Sequence, residues 1–158
     1  MSEAPWYEDI PIPVLVRAAR SAYAGAVRQA LAVGDYEDLP ANGPFMVGSI
    51  ARGGGPLGET FKALGVSKQA GGQLIDTLVL RGYVVREVDP QDRRRLVLTL
   101  TDRGMGAHLA TRAAIERVDA KLMAALPAQT VSNGRLMLGA LAQIAQQIDT
   151  EGPEPDAS

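Results

Sequence analysis

The chain contains no cysteine. That excludes disulfides, thiolate metal sites and thiol redox sensing. It contains a single histidine, His108, too few for a dedicated zinc site. Aromatic residues make up only 4%, so the core must be packed from aliphatic side chains. No apolar run approaches the ~18 residues of a membrane span, and no membrane partner is expected. The N-terminus lacks the basic, apolar, small-residue order of a secretion signal, so a cytoplasmic protein is expected. No Ser-His-Asp or paired-carboxylate constellation can be assembled from spacing. The expectation is therefore a protein that is not an enzyme and that needs no cofactor or metal.

What is present suffices for a core. The chain has 158 residues, of which 46% are hydrophobic, enough for one compact domain with a helical extension. The net charge of −2 argues at first against a polyanionic partner. Its distribution argues the other way. Between Lys62 and Arg103 stand 8 Lys/Arg against 5 Asp/Glu, while the remainder has 8 against 13. Salt screens exposed charges beyond ~8–10 Å, so local charge decides where a polyanion docks.

Hydrophobic periodicity orders the chain. Residues 1–9 form a polar N-terminus. Ile10-Pro11-Ile12-Pro13 is an extended lead-in, because each proline pushes its predecessor out of helix. A helix from Val14 to about Val33 ends at Gly34-Asp35. Phe45, Met46, Ile50 and Ala51 suggest a short buried helix, weakened by Pro44 and Gly48. A second short helix spans Leu57 to Leu64 and closes at Gly65. Ser67 caps the next helix, which carries Ala70, Leu74 and Leu78 as its buried stripe and ends at Arg81-Gly82. Tyr83–Val88 and Leu96–Leu100 pair as strands, with Leu96, Leu98 and Leu100 on one face. Thr101 caps a long helix whose apolar side is Met105, Leu109, Val118, Leu122 and Leu126. After Pro127 a last helix runs from about Val131 to Ile148. Residues 150–158 read as a disordered acidic tail.

The order helix, helix, hairpin has a mechanical use. A helix-turn-helix sets the N-terminal part of its second helix against base edges in the major groove of double-stranded DNA. Here those residues are Ser67, Lys68, Gln69 and Gln73. Glutamine bonds adenine in two places, and lysine bonds the O6 and N7 of guanine. Serine and lysine also hold phosphate. The hairpin tip presents Arg93, Arg94 and Arg95, and arginine suits the narrow, electronegative minor groove.

Leu64-Gly65-Val66-Ser67-Lys68-Gln69, Leu74-Ile75-Asp76-Thr77-Leu78, Arg81-Gly82-Tyr83 and Asp89-Pro90-Gln91-Asp92-Arg93-Arg94 resemble the MarR family of bacterial transcription regulators. Leu100-Thr101-Asp102-Arg103-Gly104 completes the likeness. The family's wing signature, Asp-x-Arg followed by Leu-Thr-x-x-Gly, is matched by Asp92, Arg94, Leu100, Thr101 and Gly104. The detailed likeness covers about 40 residues, and the flanking helices agree in order and length. The resemblance implies a homodimer that binds a palindromic operator, usually as a repressor. It implies that Arg94 enters the minor groove, steadied by Asp92. It also implies a site for a small aromatic or anionic effector, with Tyr23, Phe45, Met46, His108 and Arg112 as candidates. The chain departs from the family at Gly71-Gly72 and at Gly48, where a large aliphatic is usual. Twin glycines in a reading helix permit close backbone approach to DNA, or loosen the helix until DNA orders it.

Gly53-Gly54-Gly55-Pro56-Leu57-Gly58-Glu59-Thr60 nearly fits a phosphate loop. The position that needs lysine holds Glu59, whose charge repels phosphate. The stretch is an interhelical turn.

The expected fold class is α+β, mostly α: a winged helix-turn-helix on an α-helical dimerisation scaffold. Residues 39–101 would form the DNA-binding domain, and 10–38 with 102–149 the dimerisation region. A winged helix used for protein contacts, with weak or no operator specificity, is the alternative.

Overall fold

The computed structural model describes residues 5–53, 57–89 and 96–151, without the side chains of 146 and 149–151. Its elements are α1 (Ile12–Val33), α2 (Gly43–Ala51), α3 (Leu57–Leu64), α4 (Lys68–Leu80), β1 (Val84–Val88), β2 (Leu96–Leu100), α5 (Asp102–Ala125) and α6 (Ala128–Glu151). The chain is mostly helical with one small antiparallel sheet, the fold class expected from its sequence. It divides into two compact units, Met1–Val118 and Asp119–Ser158.

Local chemistry explains the boundaries. Pro13 lies in the first turn of α1 and Pro44 in that of α2, where a missing backbone N–H costs nothing. Pro44 therefore starts α2 rather than weakening it. Gly34 closes α1 through its N–H to Ala30 and Leu31 carbonyls, and Asp35 follows in the left-handed region at φ 58°. Gly65 makes the turn between α3 and α4 at φ 64°. Ser67 caps α4, its hydroxyl accepting the Ala70 N–H at 3.1 Å. Gly82 ends that stretch at φ 73°.

The core lies within the first unit. Met46 and Val47 of α2, Phe61 of α3, Ile75 and Leu78 of α4, Tyr83 and Val84 at the start of the hairpin, and Ala107 of α5 are all buried. Each large apolar side chain removed from water contributes ~1.5–3 kcal/mol. β1 and β2 pair in register from Val84 opposite Leu100 to Val88 opposite Leu96. α2 packs on β2 and α4 on β1, so the hairpin is seated on the two helices that flank α3.

Four apolar faces differ from expectation. In α4 the buried stripe is Gly71, Ile75 and Leu78, with Leu74 and Val79 packed beside it, and Ala70 is exposed. The stripe is rotated by one residue because Gly71 is the position pressed against α3. In α2, Met46 and Ile50 are buried but Phe45 is 45% exposed. On β2, Leu98 and Leu100 reach the core, whereas Leu96 near the tip is exposed. In α5 the buried residues are Gly104, Ala107, Thr111 and Ala114. The larger Met105 and Leu109 are exposed, because small residues let this part of α5 approach the core closely. Leu122, in the second unit, and Leu126, past the end of α5, are exposed as well.

Candidate nucleic-acid interface

α4 presents two unlike faces. Its inner face carries Gly71, Ile75 and Leu78. Its outer face carries exposed Lys68, Gln69, Gln73 and Asp76, with exposed Ser67 at the cap. Lys68, Gln69 and Gln73 make no side-chain hydrogen bond or ion pair among the described residues, so their donors are open to a ligand. Asp76 is engaged: its Oδ1 accepts Arg86 Nη2 of β1 at 2.5 Å. That pair ties the outer face of α4 to the hairpin, and both partners are substantially exposed. An exposed pair contributes ~0–1 kcal/mol, so its role is in orientation rather than stability. Asp92, Arg93, Arg94 and Arg95, expected at the hairpin tip, lie outside the described residues.

The twin glycines separate into two cases. A Cβ on Gly71 would lie 2.4 Å from Cδ1 of the Phe61 ring. Gly71 is thus required by packing of α3 on α4, and it faces the core. A Cβ on Gly72 would meet nothing within 4 Å. α3 is further joined to α2 through Ser49 Oγ and Thr60 Oγ1, 2.9 Å apart.

The base of the hairpin is fixed by a cluster that the sequence did not disclose. Tyr83, with 0% of its surface exposed, donates its hydroxyl to Asp38 Oδ1 at 2.5 Å. Arg103 Nη2 donates to the same oxygen at 2.7 Å, and its guanidinium stands 4.7 Å from the centre of the Tyr83 ring. Arg81 donates to the Asp38 backbone carbonyl. The Tyr83 hydroxyl, with help from the Arg103 guanidinium, holds the Asp38 carboxyl below its ordinary range. Burial, reinforced by the Asp38 carboxylate, pushes the Tyr83 phenol up. Thr101 completes the junction. Its hydroxyl donates to the Gly82 carbonyl at 2.6 Å and accepts the Gly104 N–H at 3.1 Å. The Arg-Gly-Tyr and Leu-Thr-Asp-Arg-Gly stretches were visible in the sequence, but Asp38, 65 positions before Arg103, carried no local signal.

A cavity of about 590 Å³ opens elsewhere in the first unit, between α1, α2 and α5. Val27 lines it from α1; Pro44, Phe45 and Gly48 of α2 continue through Arg52; His108, Thr111, Arg112, Ile115 and Glu116 line it from α5. The α5 residues recur at helical spacing, so one face of that helix forms the wall. Of the five residues suggested for an effector, Phe45, His108 and Arg112 lie on this wall. Tyr23 is half-buried outside it, and Met46 is wholly buried in the core. Arg112 Nε is paired with Glu116 Oε1 at 2.7 Å. Arg52 and His108 have no hydrogen-bond or ion-pair partner among the described residues. Thr111 is 7% exposed, and its Oγ1 is a buried side-chain polar atom with no hydrogen-bond partner among the described residues. Arg52 and Thr111 escaped sequence reading because neither belongs to a motif. Among the described residues no group of acidic or histidine side chains is arranged to hold a metal ion.

Known proteins match this geometry. A sequence model of the MarR family matches residues 62–95, the span from the end of α3 to the hairpin tip. No curated protein matches the sequence. Among solved structures, the crystal structure of MarR superposes with a TM-score of 0.66 at 24% identity, covering 92% of this chain and 97% of that one. CouR from Rhodococcus jostii RHA1, bound to p-coumaroyl-CoA, gives 0.65 at 23% identity over 88% of this chain and 96% of its own. Streptococcus pneumoniae FabT in complex with DNA gives 0.69 at 18% identity over 85% and 94%. The chain therefore has the winged helix-turn-helix fold of the MarR-family regulators, and from Lys62 to Arg95 it carries that family's sequence pattern.

Proposed function

We propose that this protein is a sequence-specific DNA-binding transcription regulator that acts as a homodimer on a palindromic operator, as a ligand-responsive repressor. The observation that carries the reading is α4. It is a capped helix seated on the core by Gly71, Ile75 and Leu78, with Lys68, Gln69 and Gln73 on its outer face and without side-chain partners among the described residues. Ser67 and Lys68 would hold phosphate, and Gln69 and Gln73 would read base edges. Arg93, Arg94 and Arg95 would serve the minor groove beside it, with Asp92 steadying Arg94. FabT, of the same fold, is known in complex with DNA.

The dimer reading rests on apolar surface. Leu136, Met137, Leu138, Leu141, Ile144 and Ile148 of α6 are all exposed in the single chain, as are Ile12, Val14 and Val16 of α1. Large apolar residues exposed in this number, on α6 and separately on α1, suit burial against a second copy of the chain. Residues 10–38 and 102–149 would supply the dimer, and its two α4 helices would sit about one DNA turn (~34 Å) apart.

The cavity between α1, α2 and α5 is the candidate effector site. CouR and MepR, of the same fold, are known with p-coumaroyl-CoA and with ethidium bound. α2 supplies one cavity wall and also bonds α3 through Ser49 and Thr60, so a ligand that moves α2 moves the reading head. The test is an electrophoretic mobility shift with the region upstream of the gene against random DNA of equal length, with sedimentation to establish the dimer. Preferential binding to the upstream DNA supports the reading. Equal affinity for both DNAs would leave a protein-contact module instead.

A further inference from the structure

Four glycines are buried in helices among the described residues: Gly43, Gly48, Gly71 and Gly104. Three are dictated by their surroundings. A Cβ would lie 2.7 Å from Leu39 at Gly43, 2.4 Å from Phe61 at Gly71 and 2.0 Å from the Tyr83 carbonyl oxygen at Gly104. Gly48 is different. A Cβ there would meet Arg52 Nη1 at 3.5 Å and His108 Nδ1 at 3.9 Å, ordinary contacts with the ends of two side chains. Its φ is not positive. Neither space nor backbone demands glycine at this position, although glycine is disfavoured inside a helix.

What Gly48 does have is the cavity. We infer that Gly48 is a specificity-determining residue: its bare backbone is the part of the cavity wall on which a flat, anionic ligand with an apolar body lies, between Arg52 and His108. The inference rests on the cavity being the effector site, and it names the residue that sets what the site admits. Arg112 is already paired with Glu116, so Arg52 is the guanidinium left to meet a ligand anion. His108 Nδ1 stands beside it with no partner among the described residues. Val27, Phe45 and Ile115 give apolar contact to the rest of the molecule. Thr111, on the same α5 face, adds a buried hydroxyl without a hydrogen-bond partner among the described residues. A side chain at position 48 would grow between Arg52 and His108 and occupy the place where the flat portion rests.

The probe is 1-anilinonaphthalene-8-sulfonate, a flat aromatic anion whose fluorescence rises on transfer to an apolar site. It is titrated into the wild-type protein and into Gly48→Leu, Gly48→Ala and Arg52→Gln, each also melted by circular dichroism. Saturable binding to the wild type is expected. Gly48→Leu should weaken it by at least about tenfold, as should Arg52→Gln, while Gly48→Leu still melts cooperatively. Gly48→Ala should melt a few degrees higher. Wild-type affinity in Gly48→Leu, with Arg52→Gln weakened, overturns the role of Gly48 and leaves the effector site standing. Failure of Gly48→Leu to fold also overturns it, because the room at this position would then be misjudged. No saturable binding to the wild type, or no loss in Arg52→Gln, removes the cavity reading itself and this inference with it.

Discussion

Gly104 passes so close to Tyr83 that a Cβ on it would lie 2.0 Å from the Tyr83 carbonyl oxygen. The same carbonyl accepts the Thr101 N–H at 3.1 Å. The first turn of α5 is thereby pinned to the start of the hairpin. This gives a physical reason for the glycine in the Leu-Thr-x-x-Gly pattern: any side chain would lift α5 off the wing. Gly104→Ala should destabilise at the upper end of the ~1–3 kcal/mol typical of overpacking, since the obstacle is backbone and cannot rotate away. A fall of several degrees in melting temperature is expected in calorimetry.

The adjacent glycines of α4 should respond in opposite directions. Gly71→Ala drives a methyl into the buried Phe61 ring, and overpacking by ~1–3 kcal/mol exceeds the ~1 kcal/mol gained in helix propensity. Gly72→Ala meets open space and should gain ~0.5–1 kcal/mol. Paired thermal melts check both signs.

Much of the architecture was legible in the sequence, for identifiable reasons. Ser67, Gly65 and Gly82 act locally, through cap and left-handed turn chemistry, so their positions fixed the ends of α3 and α4. Leu98 and Leu100 alternated with the strand period and reached the core as expected. The faces of α4 and α5 were less legible. Periodicity ranks large apolar residues as inward, whereas Gly71, Gly104 and Ala107 are inward because a close approach needs them small. Met105 and Leu109 form an apolar side of α5, but that side is exposed in the single chain. Within the candidate interface, the exposed face of Lys68, Gln69 and Gln73 follows from their distance to the Ser67 cap. The Asp76–Arg86 and Asp38–Tyr83–Arg103 contacts join distant segments and left no periodic trace.

Asp38 makes stability depend on acid. Its carboxyl is held below the ordinary value of 3.8 by the Tyr83 hydroxyl and Arg103. The stabilisation is therefore present above that value and is lost as pH falls through the lowered pKa. Thermal melts from pH 6 down to ~2.5 should show a drop at the acid end that is smaller in Asp38→Asn, because asparagine does not titrate there. An equal acid drop in both proteins would assign the effect to other carboxylates.

Thr111 should be replaceable at a gain. Its buried hydroxyl has no partner among the described residues, and an unmet buried polar group costs ~1–3 kcal/mol. Thr111→Val keeps the shape and removes the group. The variant is expected to melt higher than the wild type in the absence of ligand.

The central claim is that α4 and the hairpin tip read DNA. Its most direct test is a titration of the purified protein on DNA from upstream of its gene, at a series of salt concentrations, for wild type, Gln73→Ala and Arg94→Ala. Wild-type affinity should exceed that for random DNA and fall linearly on a log–log plot against salt, each phosphate contact adding about 0.9 to the slope. Arg94→Ala should bind much more weakly with its oligomeric state unchanged in sedimentation. Gln73→Ala should lose ~1–3 kcal/mol of preference for the upstream site over random DNA. Binding that is insensitive to salt and unchanged in both variants would contradict the reading.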